Sequence, residues 1–315
     1  MCTAISYKTQ DHYFGRNLDL ERGYGENVVI TPRRYPLHFR RLPDVAEHYA
    51  MIGMAAVSGG YPLYFEATNE KGLSVAGLNF PQNAFYPSDD SLNGVAPFEL
   101  IPYLLGTCAS TREAQCALEG LNVLHIDFSK ALPVSPLHWI ISDDARSLTL
   151  ECTRAGMQVY DNPFGVLTNN PTFDYHRTNV ENYMNLHEGE LSNTLCKDVN
   201  LSNYSLGMGA LGLPGDFSSA SRFVRAVYVK EKSVCDGGEK ESVNQFFHIL
   251  SSVAMPRGCV LARNGQYEYT RYSSCCNTKS GVYYYRTYGN SVIRRVDMNE
   301  YDLFSKKLIS VSFED

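Results

Sequence analysis

Short apolar runs bounded by Gly, Pro and Asn dominate the first third of the chain. Runs of this length that are rich in β-branched and aromatic residues predict β-strands. The turn Asn-Glu-Lys-Gly at 69–72 separates the last two runs and favours antiparallel pairing of neighbours. The predicted strands are Cys2–Tyr7, Val28–Thr31, Tyr49–Val57, Tyr61–Ala67 and Leu73–Asn79.

Helical signals come next along the chain. Pro97 precedes Phe98–Leu105 as a first-turn proline, and Ser110 with Glu113 forms a capping box ahead of Ala114–Leu121. The rest of the pattern predicts three strands, three helices and three further strands. These are Val123–Phe128, Leu137–Ser142 and Leu148–Cys152, then Phe173–Leu186, Ser219–Lys232 and Val243–Val253, then Tyr267–Tyr272, Gly281–Tyr288 and Val292–Asp297.

The order of these elements predicts the fold class. Blocks of antiparallel strands alternate with blocks of paired helices, which is a poor match to the regular βαβα alternation of a parallel sheet. We therefore expect an α+β fold, a four-layer αββα sandwich of two stacked antiparallel sheets flanked by helices. No boundary or internal repeat divides the chain, so residues 1–315 are expected to form a single domain.

Composition and charge exclude several classes of partner. The chain has 315 residues, a formal charge of −6 and a pI near 5.8, and its basic pairs are isolated, which disfavours nucleic-acid binding. It contains no run of about 18 apolar residues and does not begin with a charged segment followed by an apolar one. We therefore expect a cytoplasmic protein that neither spans a membrane nor is exported.

The cysteines and histidines indicate no metal site. The nine cysteines are scattered without a CxxC pair, and none of the eight histidines shows a spacing such as HExxH. An unexported chain with this pattern is expected to keep its thiols reduced and to need neither a metal nor an organic cofactor.

Cys2 is the candidate for chemistry because of its position. It directly follows Met1, and its side chain is small enough for methionine aminopeptidase to accept. Removal of Met1 would place a thiol and an α-amine on one residue. An α-amine ordinarily has a pKa of about 7.7 to 8.0, so near neutral pH part of it is the free base. It can then act as proton acceptor for the neighbouring nucleophile.

A polar segment after Tyr13 and Phe14, with the sequence Gly-Arg-Asn-Leu-Asp-Leu at 15–20, supports this hypothesis. If the segment follows the next strand of the same sheet, Arg16 and Asp19 lie beside Cys2. A nearby guanidinium favours the thiolate, and a carboxylate can orient the amine. The alternative for each is a surface salt bridge.

Several motifs together resemble the choloylglycine hydrolases, the bile salt hydrolases and penicillin V acylases of the N-terminal nucleophile (Ntn) superfamily. The matches cover about the first 225 residues in the order of the family, and the resemblance is more diffuse beyond them. They are MCTAISY at 1–7, FGRNLDLE at 14–21, NEKGL at 69–73, AGLNFP at 76–81, LTNNPTF at 167–173, GALGLPGD at 209–216 and SSASRF at 218–223.

The resemblance implies the Ntn-hydrolase fold and a set of site residues. Cys2 resembles the nucleophile, Arg16 and Asp19 its polarising and orienting partners, and Asn79 a donor of the oxyanion hole. At two positions a neighbour remains an alternative. Asn169 is preferred to Asn170 because it completes the Thr-Asn motif, and Arg222 is preferred to Arg225 because it belongs to the Ser-Arg-Phe block. The family also implies a homo-oligomer, often a tetramer.

Within the family, Asn79 in its Gly-Leu-Asn-Phe-Pro setting resembles the bile salt hydrolase branch. This implies hydrolysis of the amide between a bile acid and glycine or taurine, a small-molecule substrate. A steroid acid needs an apolar groove, for which the candidates are Leu18, Tyr24, Phe65, Leu132 and Leu137, with Tyr61 beside them.

Other functions remain open from the sequence. A penicillin V acylase or another acyl-amide hydrolase would share the catalytic set, and a histidine-dependent cysteine protease would not. A non-enzymatic small-molecule binder on the same scaffold is a more remote alternative. The GxGxxG match at 207–212 is weak evidence for a dinucleotide, because Pro214 follows where a helix should continue.

Overall fold

The computed structural model describes residues 1–89 and 93–313. In chain order its strands are β1 (Cys2–Lys8), β2 (His12–Leu20), β3 (Glu26–Thr31), β4 (Met51–Ser58), β5 (Tyr61–Asn69), β6 (Ser74–Asn79), β7 (Gly94–Val95), β8 (Asn122–Val123), β9 (Leu137–Ser142), β10 (Ser147–Thr153), β11 (Gly156–Asp161), β12 (Val166–Leu167), β13 (Val260–Leu261), β14 (Tyr267–Asn277), β15 (Val282–Thr287), β16 (Arg294–Asp297) and β17 (Ile309–Val311). The α-helices are α1 (Leu100–Thr107), α2 (Thr111–Leu118), α3 (Phe173–Val180), α4 (Ser219–Lys232) and α5 (Glu239–Ser251). Short 3₁₀ turns lie at Pro97–Glu99, Glu181–Tyr183, Met208–Ala210 and Met298–Glu300.

Two antiparallel sheets form the centre of the molecule. The seven-stranded sheet has the order β12-β1-β2-β14-β15-β16, with β13 on β14, and the eight-stranded sheet has the order β11-β10-β9-β6-β5-β4-β3-β17. A separate short pair, β7 and β8, is parallel. The strand β1 lies inside its sheet, between β12 and β2.

Alternation along β9 shows how the layers are built. Ile140 joins the core between the sheets, whereas Trp139 and Ile141 join a second core with Leu100 and Leu104 of α1. Since successive side chains of a strand point to opposite faces, the eight-stranded sheet buries both of its faces. Helices α4 and α5 cover the other side of the seven-stranded sheet. The predicted α+β, four-layer αββα sandwich is confirmed.

Most predicted elements are present, with corrections at several ends. The strand predicted at Val123–Phe128 is wrong beyond Val123, because its partner β7 is only two residues long and Asp127 accepts a hydrogen bond from the backbone of Val134 in a turn. The first helix after Pro171 ends at Val180 rather than Leu186. The edge strands β11 and β17 were not predicted, since their half-exposed residues give weak alternation.

No helix of the described residues is long and apolar enough to cross a bilayer.

Candidate active site

Cys2 is the first residue of β1, and its side chain is 2% exposed. The hairpin register pairs Cys2 with Leu18 and Ala4 with Arg16. The polar segment predicted to follow a strand is instead part of β2 itself, so its side chains are fixed by the sheet. This placement brings Arg16 and Asp19 beside the start of β1, as expected.

Met1 extends the pairing of β1 with β2 by one residue. The Met1 amine donates to the Asp19 carbonyl at 2.7 Å, and the Met1 carbonyl accepts from the Asp19 N–H at 3.0 Å. The amine also forms an ion pair with Glu268. Burial lowers the pKa of this amine, which the charges of Cys2 and Asp19 oppose. The N–H of Cys2 meanwhile donates to Asn169 Oδ1 at 2.8 Å.

Asn169 links the two segments that approach Cys2. Its Oδ1 accepts from Cys2, and its Nδ2 donates to the carbonyl of Asn79 at 2.7 Å. His176 donates to its backbone carbonyl at 2.8 Å. Asn170 points elsewhere and donates to Asn83 at 3.0 Å. Of the two adjacent asparagines, only Asn169 contacts Cys2 among the described hydrogen bonds.

Arg222 lies near the start of α4, is fully buried and also forms hydrogen bonds with Cys2 and Asn169. Its Nη1 donates to the Cys2 carbonyl at 2.5 Å and to Thr3 Oγ1 at 2.7 Å, and its Nη2 donates to Asn169 Oδ1 at 2.8 Å. Burial lowers the pKa of Arg222. Arg225 instead donates to the carbonyls of Pro214, Asp216 and Ser252.

Arg16 is buried between the sheets. Its Nη1 donates to the carbonyls of Phe65 at 3.0 Å and Gly77 at 2.6 Å, while its Nη2 has no hydrogen-bond partner in the described chain. Burial acts to lower the pKa of Arg16, but the nearby Cys2 and carboxylates outweigh burial and raise it. The guanidinium therefore stays charged, with one nitrogen free.

Close packing of β2 against β14 requires a glycine at position 15, before Arg16. A Cβ on Gly15 would lie 2.0 Å from the carbonyl oxygen of Ser274 on β14. Any side chain here would force β14 away from β2, and the Arg16 N–H would lose its bond to Ser274 Oγ at 3.2 Å.

Sequence reasoning missed the carboxylate behind Arg16. Glu66 is 2% exposed, and its Oε2 lies 3.9 Å from Arg16 Nε. It accepts hydrogen bonds from the hydroxyls of Tyr272 at 2.8 Å, Ser274 at 2.9 Å and Tyr283 at 2.6 Å. Burial raises the pKa of Glu66, and Arg16 and the hydroxyls oppose this. A charged residue in the middle of a predicted apolar strand was the available signal.

Asp19 is fully buried, and only one of its two carboxylate oxygens has a hydrogen-bond partner among the described residues. Its Oδ1 accepts from Thr270 Oγ1 at 2.6 Å, whereas its Oδ2 has no partner within the described residues. Burial raises the pKa of Asp19, and the charges of Arg222 and of the chain's amino group oppose this. Thr270, on β14, was not singled out from the sequence because it is distant along the chain.

Asn79 ends β6 and is half-buried. Its backbone carbonyl accepts from Asn169, while its side-chain amide makes no hydrogen bond within the described chain. A free amide donor at this position is what an oxyanion requires.

The residues predicted to line a groove fall in different places. Phe65 is half-buried on the inter-sheet core, and its ring centre is 6.3 Å from that of exposed Tyr24. Leu18 is 3% exposed opposite Cys2. Leu137 packs on the core under α1, on the face away from the sheet that carries Cys2, and Leu132 is half-buried in a turn with Ser129.

An αββα sandwich with a nucleophile candidate at the start of an inner strand defines the class of Ntn hydrolases. The family model for linear amide C–N hydrolases of the choloylglycine hydrolase family matches residues 2–311. The chain belongs to this family.

Individual relatives extend this similarity over the full chain. The chain is 51% identical to a bile salt hydrolase/transferase of Lactiplantibacillus plantarum over 98% of its length and 96% of the relative's. It is 35% identical to one of Clostridium perfringens over 96% and 94%. A solved mutant of the C. perfringens conjugated bile acid hydrolase superimposes with a TM-score of 0.92 at 33% identity, covering 100% of this chain and 97% of the mutant's. Penicillin V acylase from Agrobacterium tumefaciens shares the fold, with a TM-score of 0.78 at 20% identity over 99% and 91%.

Proposed function

We propose that this enzyme hydrolyses the amide bond between a bile acid and glycine or taurine, with Cys2 as nucleophile after removal of Met1. The amidase class follows from the family, and the similarity to bile salt hydrolases supports the substrate. One observation carries the mechanism: the Cys2 nitrogen is already bound by Asn169 Oδ1 at 2.8 Å while Met1 is attached. Loss of Met1 converts that nitrogen into an α-amine held in place.

The reaction then proceeds in two halves. The free amine of Cys2 takes the thiol proton, and the thiolate attacks the carbonyl carbon of the substrate amide. The resulting tetrahedral oxyanion accepts hydrogen bonds from donors such as the Asn79 side chain. The ammonium protonates the leaving nitrogen, the C–N bond breaks, and a thioester remains. Water attacks the thioester with the amine again as base, which releases the bile acid and restores the thiol.

Charges around Cys2 support this cycle. Arg16 is a buried cation with an unpartnered Nη2, so a positive charge and a free hydrogen-bond donor lie near Cys2. Asp19 has an unpartnered Oδ2 that can accept from the new ammonium. An α-amine at Cys2 ordinarily has a pKa of about 7.7 to 8.0, so part of it is free base near neutral pH.

Of the residues predicted to line a groove for the steroid, Tyr24 and Phe65 have the most support. They contact one another next to the Arg16 hydrogen bond to the Phe65 carbonyl. Leu18 is buried opposite Cys2, Leu132 lies in a turn and Leu137 packs on the core under α1, so these three have less support as lining residues.

The substrate proposal is tested with purified protein whose N-terminus has been checked by intact mass. Glycocholate, taurocholate and penicillin V are assayed in parallel at equal concentrations. We expect loss of Met1 and faster release of glycine or taurine than of the penicillin side chain. Faster turnover of penicillin V would make the chain an acylase of the same family. No turnover of any amide would favour a small-molecule binder.

Exposed apolar residues between α3 and α4 support the homo-oligomer, a tetramer by family analogy. Met184, Leu195, Tyr204 and Leu206 are each more than 80% exposed. An exposed apolar patch is typical of a protein interface, and these four residues are candidates for one. Size-exclusion chromatography with light scattering should give about four times the chain mass of 35.3 kDa, whereas a mass equal to one chain would contradict it. The nine free cysteines fit the proposed cytoplasmic location.

A further inference from the structure

Two buried side chains outside the set described above connect the segments that carry Asn79 and Asn169. His138 lies on β9 and Glu151 on β10, and neither is exposed to solvent. The His138 Nδ1 is 3.0 Å from Glu151 Oε1. Buried groups of this kind are costly to leave unpaired, so their contacts need a reason.

The first contact of His138 is with the end of β6. The register of β6 with β9 places His138 opposite Leu78, the residue before Asn79. The imidazole stacks on the ring of Phe80, the residue after Asn79, with centroids 4.1 Å apart and an interplanar angle of 8°. His138 therefore restricts the chain on both sides of Asn79.

The second contact is with the segment before Asn169. His138 Nε2 donates to the carbonyl oxygen of Thr168 at 3.0 Å. Thr168 Oγ1 is also 2.8 Å from Ser219 Oγ, and the N–H of Asn169 donates to the same Ser219 oxygen. The backbone that presents Asn169 is thus fixed from one side by His138 and from the other by the start of α4.

Glu151 fixes the imidazole in this orientation. A carbonyl can only accept, so Nε2 carries a hydrogen, and the close approach of Nδ1 to a carboxyl oxygen requires a second hydrogen between them. Glu151 Oε1 also accepts from the N–H of Phe173 at 3.0 Å, at the first residue of α3. Both ring nitrogens of His138 are therefore engaged, and the ring has no freedom to turn.

We propose that the His138–Glu151 pair is a positioning device that sets the spacing between Asn79 and Asn169. The inference rests on the roles given to these asparagines under the proposed function. Neither member of the pair contacts Cys2, so both act through other residues. The pair maintains the geometry of the 2.7 Å hydrogen bond from Asn169 Nδ2 to the Asn79 carbonyl. A shift of about 1 Å in such a donor can cost about a hundredfold in rate.

The test compares His138→Gln with a matched substitution, His12→Gln. His12 is also buried and bonded through both ring nitrogens, to Ser6 Oγ at 2.8 Å and Thr278 Oγ1 at 2.9 Å, but it lies at the other end of the β1–β2 hairpin. With glycocholate, we expect His138→Gln to lower kcat by about ten- to a hundredfold with KM within about twofold. His12→Gln should keep both constants near wild type.

A second pair of variants separates positioning from simple packing. Glu151→Gln keeps an oxygen at the position of Oε1, which can still accept from Phe173 and from His138 Nδ1, so it should retain most of kcat, whereas Glu151→Leu should resemble His138→Gln. If His138→Gln does not fold, Phe80→Leu tests the same role, because it removes the stacking and keeps both hydrogen bonds of His138, and it should still lower kcat at constant KM.

Two results would overturn the inference. One is a kcat for folded His138→Gln equal to that of His12→Gln, and the other is an unchanged kcat for Phe80→Leu. The wild-type protein in the same assay separates this failure from failure of the proposed function. If wild type releases no glycine, the function is wrong; if it does and the variants match it, only the positioning role is wrong.

Discussion

The two ends of the β1–β2 hairpin both bury polar side chains, but they differ in how many of these polar atoms have hydrogen-bond partners. At the far end, both ring nitrogens of His12 have partners, and Ser6 is bonded to Ser142 as well at 2.9 Å. At the Cys2 end, Arg16 Nη2 and Asp19 Oδ2 have no hydrogen-bond partner in the described chain. Buried polar atoms are normally paired. These unpaired atoms lie at the end that carries the proposed nucleophile, Cys2.

Charge separates the two ends in the same way. Burial lowers the pKa of His12 to about 4, so at neutral pH the far end is a neutral network. The Cys2 end buries the guanidinium groups of Arg16 and Arg222 close to Asp19. A neutral, satisfied network stabilises the fold, whereas concentrated buried charge is typical of a reactive site.

The largest effect is expected from Cys2→Ser, which tests whether the reactive end depends on the thiol. A serine hydroxyl fits the same space but forms an anion far less readily, so glycocholate hydrolysis should fall by about three orders of magnitude or more. The fold should persist, as measured by circular dichroism and thermal unfolding. Cys116→Ser, at an exposed cysteine of α2, is the control and should keep full activity. Equal activity in both variants would refute the mechanism.

Asn79→Ala comes next in size. Its amide makes no hydrogen bond within the described chain, so its removal should cost little stability. Loss of an oxyanion donor should lower kcat by about a hundred- to a thousandfold. Steady-state kinetics on glycocholate measure this, with the unfolding midpoint as control. A kcat within about threefold of wild type would remove Asn79 from the oxyanion hole.

Arg222→Lys and Arg225→Lys form a matched pair one helical turn apart. Lysine keeps the charge but cannot reproduce the three hydrogen bonds of Arg222 to Cys2, Thr3 and Asn169. These bonds fix the Cys2 carbonyl and the Asn169 side chain, and a displacement of about 1 Å at such groups can cost about a hundredfold in rate, so kcat should fall at least about tenfold. Arg225→Lys should change kcat by less than about twofold. The reverse ranking would assign the family's arginine to Arg225.

The smallest effect concerns stability rather than activity. His12 has its pKa lowered from 6.5 to about 4, so between these values the unfolded chain binds a proton more readily than the folded one. The stability contributed by neutral His12 is present above about pH 6.5 and lost as the pH falls towards 4. His12→Gln should therefore lose less free energy of unfolding over this window. Urea unfolding at several pH values measures the difference, and parallel curves would show that His12 does not titrate in this way.

For the residues near the start of the chain, the sequence favoured a position beside Cys2 only on the condition that a strand pairs with β1 there. Cys2, Arg16 and Asp19 lie within one hairpin, so strand register alone brings them together. The later residues, Asn169 and Arg222, were chosen through family motifs. Spacing along the chain could not by itself prefer Arg222 to Arg225, because both lie on the same helix.

The sequence alone determined the αββα layers and the nucleophile candidate, because strand alternation, helix capping and the position of Cys2 are local properties. Only the tertiary structure decided which neighbours serve it. Glu66 behind Arg16, Thr270 beside Asp19 and the His138–Glu151 pair all lie on other strands, far from Cys2 along the chain. Burial makes these groups partners, since the low local dielectric strengthens each hydrogen bond and each charge interaction.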